Sequence, residues 1–478
     1  MRKYNLLLCF LTYSVLCLGQ NFQTYVDAFC GHKSMQSANI SILFRDLSDD
    51  STIASYRPNA AVPTASTIKV LTTATALESL GPDFCFQTFL ETDGTIDNGV
   101  LHGNLYIRGT GDPTLGSEQV GNADFLPSWV KAIKDAGIKR IAGRIIADAS
   151  FYDPAEAIPY GWVHEDIGNF YSGGVYPLCF KDNVMTIFLN SGSVGTKAQI
   201  LSTEPYIPDI EFENYFVCGT GRDWLVSGEP YSNHRVLSGC IVPNKGRWSV
   251  KAAIPNPPLL LAQNLNAALF ASGVKIDSSA IYVKVSQHSD RHLIYTYTSP
   301  ALSEILRETN QQSNNMYAEQ IFRYLGSAIK TPVLISDCVD FEKNFWKNRF
   351  IDLYSAYIYD GSGLSPQDVL SGKMLVDILT YMAKYSANKD VWFSTLPISG
   401  QSGTLKGFLA GTPLEGRVIA KSGTTSRVKA YAGYINAPNG HTYVFAVMVN
   451  NASVKSRVVQ REIAKMIEDM FCHVQATN

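Results

Sequence analysis

Ser66 and Lys69 stand three residues apart at the head of a run whose apolar residues return every three or four positions: Ile68, Val70, Leu71, Ala74, Leu77 and Leu80. That period predicts a helix over 66–80, stopped by Gly81-Pro82, with Ser66 and Lys69 on one face. Thr64 and Ser66 are the capping candidates. A serine hydroxyl is a weak nucleophile until a base takes its proton. A lysine can be that base when burial or a neighbouring cation brings its pKa down from about 10.4. The N–H groups at a helix N-terminus suit a developing oxyanion. The pattern alone is of low specificity. Ser-x-x-Lys recurs at Ser128/Lys131, Ser272/Lys275, Ser386/Lys389 and Ser426/Lys429, which read as surface pairs. A capped amphipathic helix with a solvated lysine would look the same.

Two later stretches belong beside the first. Ser313 and Asn315 fall in a polar break between two helical runs, where a loop can aim a hydroxyl and an amide at one point. There Ser313 could relay a proton and Asn315 could hold a substrate amide and fix Lys69. The ordinary role of Ser and Asn at such a break is helix capping. Lys421-Ser422-Gly423-Thr424 closes a strand, in which alternation puts Lys421 and Gly423 on one side. A bare glycine admits close backbone approach, and an extended peptide can pair with such an edge. Ser422 and Thr424 could bind a terminal carboxylate, with Lys421 adding positive charge. This is the only Lys-Ser/Thr-Gly in the chain; taken singly, the triplet reads as a strand-end turn.

These stretches need elements to position them. Residues 21–35 read as a short helix, and 39–47 with 51–57 as a strand pair. From about 89 to 290, strand-like runs at 103–108, 144–147, 184–189 and 248–253 mix with short helices and turn signals; 259–272 looks helical. Helical patterns return at 302–308, 316–325 and 367–385, with the break over 310–315. Strands follow at 417–421, 430–436 and 442–449, the last two joined by Pro438-Asn439-Gly440, and 453–471 closes as an amphipathic helix. A strand pair near the start and three strands near the end predict one antiparallel sheet drawn from both ends, an α+β fold.

A chain of 478 residues predicts two or three domains. A net charge of −2 argues against nucleic acid as the main partner. No phosphate loop is present, and Gly109-Thr110-Gly111 lacks the later glycine of a dinucleotide fingerprint; no cofactor is expected. Residues 1–19 have the outline of an export signal: Arg2 and Lys3, then a mostly apolar run from Leu6 to Leu18, then Gly19. The run is short for a transmembrane anchor. Cys9 and Cys17 would leave with the signal, and seven cysteines remain. Export permits disulfides, and the odd count leaves at least one thiol over; Cys218/Cys240 is one conceivable bridge. No Cys-x-x-Cys or helical histidine pair suggests a metal.

Ser-x-x-Lys, Ser-x-Asn and Lys-Ser/Thr-Gly, in that order, form the motif set of penicillin-binding proteins and serine β-lactamases. Between Lys69 and Ser313 lie 243 residues. On that spacing the chain resembles the D-alanyl-D-alanine carboxypeptidase/endopeptidase family, the class C low-molecular-mass penicillin-binding proteins, which carry a large two-part insertion there. The stretches 109–115, 143–148, 359–365 and 403–405 also look like that family. The resemblance is weakest over about 190–250. Ser422 replaces the commoner threonine, and Asn314 fills a variable position.

The resemblance implies a transpeptidase-like α+β fold. Its parts would be a signal at 1–19, catalytic parts at 20–88 and 291–478, and an insertion at 89–290. It implies that Ser66 attacks the bond between two terminal D-alanines of a peptidoglycan stem peptide, with Lys69 as base. The backbone N–H groups of Ser66 and Thr424 would hold the oxyanion, and water would release the acyl group. The export signal, read from residues 1–19, implies a secreted or periplasmic location. The resemblance also implies covalent capture of β-lactams, cleavage of cross-links, and an acidic residue of the insertion for the amino end of the stem side chain. By position in Gly161-Trp162-Val163-His164-Glu165-Asp166 that residue is Asp166, although a carboxylate there also suits a surface or a cap. A secreted β-lactamase or esterase of the same fold is the nearest rival. A non-catalytic wall-binding protein is the rival of another class.

Overall fold

The computed structural model describes residues 22–221, 223–286 and 290–472; the expected export signal lies outside them. Helix α1 (Phe22–Gly31) leads into β1 (Asn39–Asp46) and β2 (Thr52–Tyr56). A 3-10 turn, Ala65–Ile68, runs directly into α2 (Lys69–Leu80), which Gly81 ends at φ 85°. Far along the chain follow α3 (Leu302–Gln311), α4 (Asn315–Gly326) and α5 (Gly372–Lys384). Strands β3 (Val418–Thr424), β4 (Val428–Asn436) and β5 (Thr442–Asn450) and helix α6 (Ser456–Cys472) complete this part.

The strands form one sheet in the order β2-β1-β5-β4-β3, antiparallel throughout. Its two faces can be read from alternation. Leu43, Ala430, Ala432, Val444, Ala446 and Met448 face α2, α4 and α5. Ile42, Phe44, Tyr431, Phe445, Val447 and Val449 face α1 and α6. Both faces being covered, β5 is apolar almost end to end. Helix α4 is buried along nearly its whole length and forms the centre of the helical layer.

A separate core draws its buried members from residues 90–274. Gln87–Thr92, where the chain enters this region, pairs antiparallel with His292–Thr298, where it leaves. Entry and exit are therefore neighbours, and the core of α2, α4 and the sheet takes only a few buried residues, Tyr152, Val175 and Cys179, from the stretch between them. Between them lie a five-stranded and a four-stranded sheet, with helices Leu126–Asp135 and Pro257–Ala271, and two three-stranded sheets built from residues 184–253.

Several local expectations need correction. Helix α3 runs to Gln311 and α4 begins at Asn315, so the break is only Gln312–Asn314. Residues 369–371, read as helix, pair as a strand with Ala61–Pro63, and the Ser371 side chain then caps α5. Neither Thr64 nor Ser66 caps through its side chain. All seven described cysteines are free. Cys218 pairs in register with Ile241, and Cys240 with Val217; an offset of one residue sends their side chains to opposite faces of the sheet. Ser386 is buried and bonds Glu78 at 2.5 Å, and Lys429 is buried as well, so in two of the supposed surface pairs one member is buried while the other, Lys389 or Ser426, is exposed.

Candidate active site

The three stretches meet where α2, the α3–α4 break and β3 converge. Ala65 takes φ 43°, which tilts the 3-10 turn so that Ser66 sits at the mouth of α2. Lys69 follows one turn later and is fully buried. Its Nζ lies 3.1 Å from Ser66 Oγ, 2.8 Å from Asn315 Oδ1 and 2.6 Å from the Ser362 carbonyl. Burial pulls the Lys69 ammonium down to about 8, against the opposing pull of Asp360, Glu319 and Asp368.

Capping at the second stretch falls to the middle residue. Asn314 Oδ1 accepts from the Tyr317 amide at 3.2 Å, which leaves Ser313 and Asn315 free to face the site. Ser313 takes φ 60°, and its Oγ stands 2.9 Å from Lys421 Nζ. Lys421, also fully buried, donates to the Ser422 carbonyl at 2.9 Å. Burial, then Lys69 and Lys429, hold its pKa well below the ordinary lysine value.

Gly423 presses on the serine turn. A Cβ there would stand 2.8 Å from the Thr64 carbonyl oxygen, 3.0 Å from the Thr67 nitrogen and 3.1 Å from the Ser66 nitrogen. All three are backbone atoms, which cannot swing aside. Ser422 and Thr424 lie on the opposite side of the strand from Lys421. Ser422 Oγ donates to Thr404 Oγ1 at 2.8 Å, and Thr424 Oγ1 accepts from Lys429 Nζ at 2.8 Å. The strand end thus offers a row of hydroxyls closed by a lysine that burial brings down to about 8. Sequence reading missed Lys429 because its partner in register, Thr424, is set by the β3–β4 pairing.

Asp166 is half-buried in a 3-10 turn, and its Oδ1 accepts from the Tyr171 hydroxyl at 2.7 Å. Burial raises its pKa, which the Tyr171 bond partly offsets. The Tyr171 carbonyl accepts from Asn315 Nδ2 at 2.9 Å, so this loop touches the site directly. Beside it a cavity of about 670 Å³ opens from Ser313, Asn314 and Asn315 onto Tyr171, Lys181 and Lys251.

Behind Lys69 the 359–365 stretch forms a tight turn around the buried Asp360. Oδ1 of Asp360 accepts from the Ser362 and Gly363 amides at 2.9 and 2.6 Å, and Oδ2 from the Ser365 amide at 2.7 Å. Gly363 has φ 79°, and a Cβ on it would stand 2.0 Å from the Ala65 carbonyl oxygen. This turn supplies the third contact to Lys69. Its Asp-Gly-Ser-Gly composition marks it as a turn in sequence, but nothing local says against what it packs.

The chain is 25% identical over 430 residues to the D-alanyl-D-alanine carboxypeptidase DacB of Haemophilus influenzae, covering 88% of this chain and 87% of that one. It is also 25% identical over 465 residues to the D-alanyl-D-alanine carboxypeptidase of Actinomadura sp. strain R39, covering 94% and 84%. The crystal structure of penicillin binding protein 4 from H. influenzae superposes with a TM-score of 0.79 at 24% identity, over 91% of this chain and 97% of that chain, which establishes the shared fold. The D-Ala-D-Ala carboxypeptidase 3 (S13) family matches residues 22–471.

Proposed function

The chain belongs to the D-Ala-D-Ala carboxypeptidase 3 (S13) family and is a serine-type carboxypeptidase; from that premise we propose how its residues divide the work. The observation that carries the reading is the position of Lys69, whose Nζ lies 3.1 Å from Ser66 Oγ and is fully enclosed. Lys69 takes the Ser66 proton as Oγ attacks the carbonyl between two terminal D-alanines. The backbone N–H groups of Ser66 and Thr424 receive the oxyanion. Ser313, in contact with Lys421, returns a proton to the departing amine. D-Alanine leaves, and water then releases the acyl group from Ser66.

Asn315 holds Lys69 with its carbonyl oxygen, and its Nδ2, which donates one N–H to the Tyr171 carbonyl, keeps the second for the entering peptide. Lys421, Ser422, Gly423 and Thr424 form the strand edge along which the peptide lies, with the terminal carboxylate received by the hydroxyls of Ser422 and Thr424. Lys429 adds a charge at that end. Asp166 meets the amino group of the stem side chain. On this reading the substrates are peptidoglycan stem peptides and their cross-links, β-lactams acylate Ser66, and the enzyme works in the periplasm after export by residues 1–19.

Intact mass after brief incubation with penicillin tests the reading, with Ser66→Ala as control. A stable adduct absent from the variant is expected. Hydrolysed drug without adduct makes the protein a β-lactamase. Neither adduct nor turnover makes it a wall-binding protein that has kept the fold.

A further inference from the structure

Lys69 has two acceptors besides Ser66: the Ser362 carbonyl and Asn315 Oδ1. One loop of the inserted region, residues 161–171, touches what holds each of them. At its far end the Tyr171 carbonyl accepts from Asn315 Nδ2 at 2.9 Å. At its near end Trp162 Nε1 donates to Asp360 Oδ2 at 2.8 Å. Asp360 is the hub that binds the amides of Ser362, Gly363 and Ser365, so the indole N–H completes the shell of the carboxylate that shapes the turn presenting the Ser362 carbonyl.

The contact at Trp162 is built in. The ring is buried, and the preceding Gly161 has φ 88° with space for a Cβ only 2.5 Å from Ser365 Oγ. The Tyr160 and Tyr359 rings lie 5.8 Å apart on the same seam. Glu319 supports the turn from the other side, accepting from the Gly361 amide at 3.3 Å, and Thr72 Oγ1 donates to the Gly361 carbonyl at 3.0 Å. With Trp162 in place, the indole N–H and the amides of Ser362, Gly363 and Ser365 converge on the two oxygens of Asp360. Without its N–H, Asp360 Oδ2 keeps the Ser365 amide but loses its link to the substrate-side loop.

We propose that Trp162 is a positioning residue for acylation: through Asp360 it fixes the Ser362 carbonyl against Lys69, so the loop that carries Asp166 also holds the base. The inference rests on the reading of Lys69 as the base. It goes beyond that reading by assigning part of the base's placement to the inserted region rather than to the catalytic layers.

The test separates binding from chemistry in stopped-flow acylation by benzylpenicillin. Two variants remove the donor: Trp162→Phe, and replacement of Trp162 by β-(3-benzothienyl)alanine, which keeps the ring shape and exchanges N–H for sulfur. Both are expected to slow the acylation step about tenfold, within what one hydrogen bond to a charged group can supply. The dissociation constant of the initial complex should stay in place, and the melting temperature should fall modestly and alike at every drug concentration, as loss of one buried hydrogen bond requires. Asp360→Asn combined with the benzothienyl variant should be no slower than the slower single variant, because Trp162 acts only through Asp360. A benzothienyl variant that acylates at the parental rate, strictly additive effects in the cycle, or a loss that lies wholly in the dissociation constant of the initial complex would each overturn the proposal. Lys69→Ala run in parallel keeps the premises apart. Parental acylation by Lys69→Ala removes the base reading itself, whereas an inactive Lys69→Ala with a fully active benzothienyl variant removes only the role of Trp162.

Discussion

Gly423 and Ser66 touch through their backbones: a Cβ on Gly423 would lie 3.1 Å from the Ser66 nitrogen and 2.8 Å from the Thr64 carbonyl oxygen. The strand and the serine turn therefore fix one another's position. Gly423→Ala must push the turn away, moving the serine amide that is proposed to receive the oxyanion. Acylation by penicillin should fall at least about tenfold, and stability should drop by about 1–3 kcal/mol, as overpacking of a tight contact does. Stopped-flow acylation and denaturant unfolding of the same variant check both; parental rates would show that the turn yields freely.

The pH dependence of acylation follows from Lys69. A base must be neutral to accept the Ser66 proton, so the rate is low below its pKa and climbs through it. With burial bringing Lys69 to about 8, the rising limb of the acylation rate should be centred near pH 8. In Lys69→Ala the rate should fall about 10²–10⁴-fold and the limb should vanish. A variant that keeps the limb would assign it to another group.

Lys429 reaches Thr424 Oγ1 at 2.8 Å, at the strand end proposed to take the terminal carboxylate. Lys429→Ala should raise KM for a peptide ending in a free carboxylate by about tenfold or more, the size of a charge-assisted bond. The same peptide with an amidated end should bind both proteins alike. Equal losses for the two peptides would make Lys429 a structural residue.

Asp166 should matter only to substrates that bring it an amine. Asp166→Asn is expected to lower kcat/KM about tenfold for a stem peptide with a free side-chain amino group and to leave benzylpenicillin acylation unchanged. Because burial raises the Asp166 pKa, the parent's preference for the amine should fade, as pH falls, sooner than an ordinary carboxylate would allow. A preference that survives in Asp166→Asn would place amine recognition elsewhere.

Glu342 is fully buried, and neither carboxyl oxygen has a hydrogen-bond partner. Burial, then Glu319, pushes its pKa well above the ordinary 4.5. The folded state thus keeps a proton that the unfolded chain releases. Stability is unpenalised below pH 4.5 and is lost as pH rises from there toward the folded-state pKa. Glu342→Gln removes the titration, so its melting temperature should gain on the parent between pH 5 and 8. A constant difference across that range would mean that Glu342 does not titrate.

Much of this protein can be read from sequence because the information is local. The period of 66–80 shows a helix with Ser66 and Lys69 on one face. The alternation in 417–449 shows strands, and motif order shows the superfamily. Even the sheet drawn from both chain ends follows from where strand-forming runs fall. Errors came where one residue decides. Asn314, rather than its neighbours, caps α4, and strand 369–371 exists because Ala61–Pro63 is there to pair with it.

Contacts across hundreds of residues belong to the tertiary structure alone. Lys69 is a plain lysine in sequence; its lowered pKa comes from enclosure by Asn315, Ser362 and their surroundings, and desolvation is a property of packing. Lys429 joins the site through strand register, and Trp162 through the close packing of an inserted loop on the Asp360 turn. Residue types and spacings determined which groups can react. Burial and distance, which depend on how separate layers meet, decided how those groups are tuned and what holds them.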